Sequence, residues 1–117
     1  ARIGFVHGDL HDKQILLADD RATLIDLEGM AVGDARFDIT NLAEHVRLRE
    51  LQRSTRDSGF ADALLARCAL APDEPATRAF RTVVRARLCG VYALRPRWAA
   101  LVEHLRLETL ELLETVA

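Results

Sequence analysis

This sequence has few cysteines, no long apolar run and no excess of charge of one sign. Its two cysteines, Cys68 and Cys89, are far apart and match neither a disulfide framework nor a zinc site, so we expect free, buried thiols in the reducing cytoplasm. No apolar run approaches the roughly 18 residues that suggest a membrane span, so we expect no membrane partner. The net charge of −2 gives no basic surface for a nucleic-acid partner.

The 117 residues, half of them hydrophobic, are enough for one domain with a real core. Short apolar runs with turn residues between them come first, and apolar residues at helical spacing follow. Strands followed by helices predict an α+β fold. The predicted elements are a strand at 2–6, a loop at 7–13, a hairpin of 14–18 and 22–27, a loop at 29–35, and helices at 38–52, 60–70, 73–94 and 97–116, with a break at 54–59.

Two acidic residues stand at the ends of apolar runs, Asp9 after residues 3–6 and Asp26 after residues 22–25. The predicted hairpin returns Asp26 to the loop that carries Asp9. A carboxylate at a loop tip can accept the proton of an attacking hydroxyl, and a second one nearby can hold magnesium, which prefers oxygen ligands. Gln14 offers a further oxygen. Phosphoryl transfer needs a base that orients the nucleophile and acids that hold the metal, and this stretch of the sequence could supply both.

The predicted third helix carries several arginines, and they allow two interpretations. They form a binding face for an anionic group, or they form a solvated helix face with acids nearby, which is the commoner case and the one we favour. The set comprises Arg78, Arg81, Arg85 and Arg87.

Three blocks in order connect this chain to a known family. HGDLHDKQ at 7–14 resembles the catalytic loop H-G-D-x-H-x-x-N of the aminoglycoside phosphotransferase and choline kinase-like family. IDLE at 25–28 resembles its metal-binding I-D-x-E, and GDARFDI at 33–39 is similar to its G-D-P-x-x-D-L. Each block alone is weak evidence, but the three together occur at the family's spacing.

The resemblance implies a role for each matching residue. It makes Asp9 the catalytic base that orients the substrate hydroxyl, and Asp26 the main magnesium ligand. Gln14 stands where the family has an Asn that also binds the metal and so contacts the metal–nucleotide complex. Asp38 matches the acid that braces the catalytic loop from a helix start, where its position also suits an N-cap.

The remaining polar residues of the blocks have supporting roles. We expect His7 to stabilise the loop through hydrogen bonds. His11 faces either the substrate or solvent, and Glu28 either touches the metal or is structural. We expect Asp12 to be a solvated turn residue.

The resemblance also implies an architecture: the carboxy-terminal lobe of a protein-kinase-like fold, with short hairpins that carry the catalytic loop packed on a mostly helical bundle. Residues 1–37 would hold the catalytic and metal loops and residues 38–117 the helical part of one domain. The expected cofactors are Mg²⁺ and ATP or another nucleoside triphosphate. The expected acceptor is a hydroxyl of an aminoglycoside, amino alcohol or sugar-like small molecule.

A kinase of this type also needs an amino-terminal lobe with a glycine-rich loop and a lysine over the phosphates. The 117 residues contain neither G-x-G-x-x-G nor G-x-x-x-x-G-K-[ST]. We therefore expect the chain to be part of a longer protein, to be inactive alone, and to form homodimers through the face around residues 2–6 and 14–27.

Two other functions are consistent with the residues. His7, Asp9, His11 and Asp26 would suit a transition-metal hydrolase, with alternating residues of one strand directed to one side. The chain would otherwise be a non-catalytic, kinase-like interaction module, which the Gln at position 14 favours.

Overall fold

Among the described residues, four short strands precede four helices, and the fold is of the mixed α+β class, as predicted. A computed structural model describes residues 2–53 and 57–116. The strands are β1 (Ile3–Val6), β2 (Ile15–Ala18), β3 (Arg21–Leu24) and β4 (Ala31–Asp34). The helices are α1 (Arg36–Gln52), α2 (Phe60–Arg67), α3 (Pro75–Tyr92) and α4 (Ala99–Val116), and single 3₁₀ turns lie at Asp12–Gln14, Leu27–Gly29 and Pro96–Trp98.

The predicted hairpin is present as β2 and β3, which pair antiparallel from Ile15 opposite Leu24 to Ala18 opposite Arg21. Its turn places Asp19 at φ 55°, a left-handed conformation that aspartate tolerates better than most residues. The backbone N–H of Ile25 donates to the carbonyl of Gln14 at 3.0 Å, which extends the pairing by one step. The residue after Ile25, Asp26, is thereby held beside Gln14.

The prediction of a loop over residues 29–35 was wrong, because Ala31–Asp34 forms β4 and pairs antiparallel with β1. The segment is short, contains Gly33 and ends in Asp34, so its own composition did not predict a strand. Its backbone groups find partners only because β1 lies alongside. The pairing sets Val6 opposite Ala31, which brings the start of the loop after β1 next to the turn before β4.

The helix predictions were right in number and order, with boundaries displaced by a few residues. Helix α1 starts at Arg36 rather than residue 38, so Asp38 lies inside its first turn and is not the N-cap. Helix α2 ends at Arg67, where Ala69 takes φ 59° and the N–H of Leu70 donates to the carbonyl of Leu65. That is the hydrogen-bond pattern of a Schellman ending. Of the predicted break, residues 54–56 lie outside the described residues.

The core lies among the helices, and the strands contribute little to it. One cluster joins α1, α3 and α4, and a second joins α1, α2 and the segment after α2. The buried members are Leu48, Val84, Leu88, Tyr92 and Leu105 in the first cluster and Ala43, Ala61, Leu65 and Leu70 in the second. Each buried leucine contributes on the order of 2 kcal/mol. Across residues 2–53 and 57–116, no helix has the length and apolar character needed to cross a bilayer.

Both cysteines are free thiols, but they are only half-buried. The expectation of buried thiols was therefore wrong in degree: Cys68 caps the end of α2, and Cys89 lies at the edge of the first core cluster.

Candidate active site

The first two turns of α1 hold the loop between β1 and the first 3₁₀ turn. The carboxylate of Asp38 accepts the backbone N–H of His7 at 2.6 Å and that of Gly8 at 3.1 Å. The side-chain amide of Asn41, fully buried, donates to the carbonyl of Leu10 at 2.7 Å. Positions 38 and 41 are three residues apart, so one face of α1 fixes both sides of Asp9.

His7 connects this loop to the strand end that carries Asp26. The side chain is buried, its Nδ1 accepts the backbone N–H of Asp9 at 3.2 Å, and its Nε2 lies 2.7 Å from the carbonyl of Ile25. Since Nδ1 accepts, Nε2 must carry the proton and donate to that carbonyl. The ring thus sets the position of Asp9 relative to the residue just before Asp26.

These bonds contradict the proposed hydrolase site of His7, Asp9, His11 and Asp26. Both ring nitrogens of His7 are engaged by backbone groups, so neither is free for a metal. Residues 7–11 form a loop rather than an extended strand, so alternation does not aim their side chains to one side. Among the described residues, the only three histidines, cysteines or acids grouped closely enough to share an ion are His11, Asp12 and His45.

Glycine is needed where the loop that carries Asp9 crosses the turn before β4. Gly8 has φ 91°, and a Cβ placed there would lie 3.0 Å from the carbonyl oxygen of Gly29. A side chain at position 8 would therefore be strained and would displace the neighbouring backbone. The crossing keeps the loop with Asp9 close to the 3₁₀ turn that follows Asp26.

Asp26 and Gln14 form a polar pair at the open end of the hairpin. The side-chain amide of Gln14 lies 2.9 Å from Oδ2 of Asp26, with the nitrogen assigned as the donor. Gln14 is buried, whereas Asp26 is exposed. Asp26 has φ 60° and ψ 58°, a left-handed conformation that aspartate, as at position 19, tolerates better than most residues. The Gln14 side chain, which is longer than the Asn of the family motif, thus reaches Asp26.

The Asp9 carboxylate is partly open to solvent and lies between two nitrogen-bearing side chains. Its Oδ1 accepts from Nη1 of Arg87, on α3, at 3.3 Å. Its Oδ2 is 3.8 Å from Nε2 of His11. Of the other predicted site residues, Glu28 is exposed in the turn after Asp26 and has no hydrogen bond or ion pair within the described part of the chain.

His11 lies in a small cluster with Asp12 and His45. The His11 and His45 rings stack at 4.8 Å between centroids, and Nδ1 of His11 accepts the backbone N–H of Lys13. His45 is buried, and neither of its ring nitrogens has a hydrogen-bond partner in the described residues. Burial, followed by the nearby His11 and Arg49, lowers the pKa of His45 to about 4, so its ring is neutral at pH 7. The structure thus places His11 against protein on one face.

Asp12 lies in a turn as expected, but its side chain is only partly solvated, with 38% of it exposed. One of its carboxylate oxygens is buried without a hydrogen-bond partner, and the other accepts from Nε of Arg49 at 3.2 Å. Arg49 itself lies on α1, so this bond adds a further link between the loop and that helix.

The solvated arginine face predicted for α3 is wrong for two of its four members. Arg81 and Arg85 are buried, and both bind the carboxylate of Glu44, which is 1% exposed, at 2.5 and 2.8 Å. Arg47 on α1 is buried too and pairs with Glu108 and Asp57. These ion pairs join α1 to α3 and α4. The prediction failed because amphipathic spacing in the sequence does not distinguish a solvated charge from a paired, buried one.

A pocket of about 240 Å³ opens beside Asp9, between the loop, α1 and α3. Its wall includes His11, His45, Leu88 and Tyr92, but neither Gln14 nor Asp26. The Gln14–Asp26 pair is therefore not part of the pocket wall, whereas Asp9 lines the pocket.

The sequence did not predict that three further residues belong to this site. Asn41 follows Asp38 at the spacing of one helix face, and that spacing is the signal that was available. His45 continues the same face, but nothing in the sequence indicated that its ring would stack on His11. Arg87 contacts Asp9 from a residue 78 positions away, which no local pattern reveals.

The comparisons with known proteins address the same segment. A sequence profile described as the phosphotransferase enzyme family matches residues 1–80, which include all three blocks, the loop, the hairpin and the start of α3. Comparisons with curated proteins and with solved structures give no match. The profile spans more than half of the sequence, and the chain therefore belongs to the phosphotransferase enzyme family, the aminoglycoside phosphotransferase-like group that its motifs resemble.

Proposed function

We propose that this chain is the carboxy-terminal, catalytic lobe of a kinase that transfers the γ-phosphoryl group of ATP or another nucleoside triphosphate to a hydroxyl of a small molecule. One observation carries the proposal: a solvent-accessible carboxylate, Asp9, lies on a loop whose backbone is bound by Asp38 and Asn41. His7 fixes that loop against the strand end before Asp26.

Asp9 is the proposed base. In the transfer, a bond forms between the acceptor oxygen and the γ-phosphorus while the bond from that phosphorus to the β–γ bridging oxygen breaks. The acceptor proton passes to Asp9, and the nucleoside diphosphate leaves with the bridging oxygen. Because four hydrogen bonds fix the backbone around Asp9, its carboxylate is directed before the substrate arrives, which lowers the entropic part of the barrier.

Gln14 and Asp26 are the proposed ligands of magnesium. Two neighbouring ligand atoms of an octahedral Mg²⁺ lie about 3 Å apart when each metal–oxygen distance is about 2.1 Å. The 2.9 Å between the Gln14 amide and Asp26 matches this separation, and rotating the amide by half a turn would present its oxygen instead of its nitrogen. When bound, the ion would partly neutralise the negative charge of the nucleotide phosphates.

A second, nucleotide-covering lobe is the proposed partner of the strand face, by which we mean the exposed apolar side chains of β1, β2 and β4. The side chains of β1, β2 and β4 include several exposed apolar residues, which soluble domains rarely leave uncovered as a group. Phe5 and Leu17 are each 79% exposed, and Ile3 and Val32 are each 69% exposed. In the absence of that lobe, we propose that two copies of the chain associate through this face.

The test is phosphoryl transfer by the full-length protein that contains this chain, assayed as acceptor-dependent release of nucleoside diphosphate. Asp9→Asn should lower kcat by roughly two orders of magnitude or more, because proton transfer loses its base while the fold is kept. Asp26→Ala should abolish binding of the magnesium–nucleotide complex in a calorimetric titration. Asp19→Asn, in the hairpin turn, is the matched control and should leave both unchanged. Near-normal turnover of Asp9→Asn would refute the assignment.

A further inference from the structure

The pocket beside Asp9 carries an excess of positive charge. Four cationic side chains line it, namely Lys13, Arg49, Arg87 and Arg95, and Asp9 is its only acidic lining residue. Even when Asp12, which binds Arg49, is counted as well, the pocket keeps two positive charges more than negative ones. In a concave site, an imbalance of this kind attracts anions and repels cations.

The two excess charges have no carboxylate partner. Lys13 is exposed, and its ammonium group makes no hydrogen bond or ion pair within residues 2–53 and 57–116. Arg95 lies over the Tyr92 ring, 4.9 Å from its centroid, and has no acidic neighbour in the same part of the chain. A guanidinium that is stacked on an aromatic ring keeps its edge free for a planar anion.

Arg87 is only partly engaged. In the described structure Arg87 makes one polar contact, from its Nη1 to Oδ1 of Asp9 at 3.3 Å, and its side chain is about half exposed. Its other guanidinium nitrogens have no partner in the described structure. A carboxylate or phosphate accepts two parallel hydrogen bonds from such a group. Arg87 therefore places an anion-binding group directly beside the proposed base.

The two histidines in the wall add no negative charge to the pocket. His45 is neutral at pH 7, and an imidazole such as His11 is either neutral or positive. Leu88 and Val91 of α3 supply the apolar part of the wall. Both Arg87 and Arg95 lie beyond residue 80, outside the segment that the family profile matches.

We propose that the phosphate acceptor is an anionic hydroxy compound, whose carboxylate or phosphate group is bound by Arg87 and Arg95 while its hydroxyl faces Asp9. This inference rests on the proposed function, because it takes Asp9 as the base. It narrows the expected acceptor classes: an aminoglycoside or amino alcohol would bring ammonium groups into a pocket that repels them, whereas a sugar acid or another hydroxy acid would be attracted. Lys13 adds to the same field at the loop.

The test is a binding measurement on this chain, which requires no catalysis. Three sugars with the same ring serve as probes: glucuronate, glucose and glucosamine, titrated at pH 7 and followed by amide chemical shifts of the isotope-labelled chain. Glucuronate should bind about five- to tenfold more tightly than glucose, and glucosamine more weakly than glucose. The preference should shrink as salt is added. Equal affinities, or a preference for glucosamine, would overturn the proposal.

Variants locate the effect. The double change Arg87→Gln and Arg95→Gln should remove the difference between glucuronate and glucose. Arg97→Gln is the matched control, since Arg97 is also an exposed arginine over an aromatic ring, 4.7 Å from the centroid of Trp98, but does not line the pocket. It should keep the full preference. A preference that survives the double change would overturn the assignment, and thermal unfolding would verify that each variant is folded.

A nucleotide phosphate is the other anion that such a pocket can bind, and competition distinguishes the two. Magnesium tripolyphosphate at constant ionic strength should leave glucuronate binding unchanged, because the pocket contains neither Gln14 nor Asp26. Competitive displacement would assign the pocket to the nucleotide and overturn the proposal. The Asp9→Asn chain should still prefer glucuronate, so this inference and the proposed transfer activity can fail independently of each other.

Discussion

Glu44 holds together the two helices that form the walls of the pocket. Its carboxylate, 1% exposed, receives hydrogen bonds from Arg81 and Arg85 on α3, whereas Glu44 itself lies on α1 between Asn41 and His45. The change Glu44→Ala would leave two buried guanidinium groups without this partner. Removing one side of a buried ion pair typically costs about 3–5 kcal/mol, because the remaining charge stays desolvated.

The structure places the expected loss at the lower end of that range. Arg81 would keep an ion pair with Asp62 at 3.1 Å, and Arg85 would keep a longer contact of 3.8 Å with Glu108. We therefore expect a loss of about 3 kcal/mol, out of the roughly 5–15 kcal/mol that stabilises an ordinary domain. For a chain of this size that corresponds to a fall of about 10–15 °C in Tm.

The assay is thermal unfolding of this chain, followed by circular dichroism, for wild type and Glu44→Ala. Glu103→Ala is the matched control: Glu103 pairs with Arg106 on α4, but at the surface, where such pairs contribute little. Its Tm should stay at the wild-type value. If Glu44→Ala also unfolded at the wild-type temperature, the reasoning that the buried network joins α1 to α3 would be refuted.

The pH dependence gives a second measurement of the same interaction. Burial raises the pKa of Glu44, but its hydrogen bonds and charge interactions with Arg85 and Arg81 outweigh that effect and leave the pKa below its ordinary value. A depressed carboxylate pKa contributes stability that is complete above the unfolded value of about 4.3 and is lost as the pH falls through the folded value. The stability difference between wild type and Glu44→Ala should therefore be full at pH 7 and shrink in acid.

Three further expectations concern the site and its surroundings. The pKa of His45, about 4, is below the ordinary value near 6.5, so its contribution to stability is complete above pH 6.5 and is lost as pH falls toward 4; His45→Gln should flatten the dependence of Tm on pH in that window. Gly8→Ala should destabilise the chain by at least 1–2 kcal/mol (about the cost of a left-handed alanine), whereas Gly90→Ala, with open space around its Cβ, should stabilise it; equal Tm values would contradict the close crossing at Gly29. In sedimentation velocity the chain should associate as its concentration rises, and Phe5→Lys with Leu17→Lys should shift it toward monomer while Leu94→Lys does not; a monomer at all concentrations would contradict the interface.

Local signals in the sequence determined much of the helical part and of the loop that carries Asp9. Apolar spacing predicted four helices in the right order, because one buried face repeats every 3.6 residues whatever it packs against. The three blocks identified the family because their residues are close in sequence: Asp9, Gln14 and Asp26 lie on one loop and one hairpin. By contrast, β4 could not be predicted, because its stability depends on pairing with β1, whose Val6 lies 25 residues before its partner Ala31.

Only the tertiary structure decided which charges are buried and what surrounds Asp9. Arg81, Arg85 and Arg87 belong to one helix and look alike in sequence, yet two are buried against Glu44 and the third contacts the proposed base. The reason is physical: the state of a long charged side chain depends on partners from other helices, which only the packing brings within reach. For the same reason, the sequence predicted the chemistry of the loop, and the packing of α3 against it decided the charge of the pocket that the loop faces.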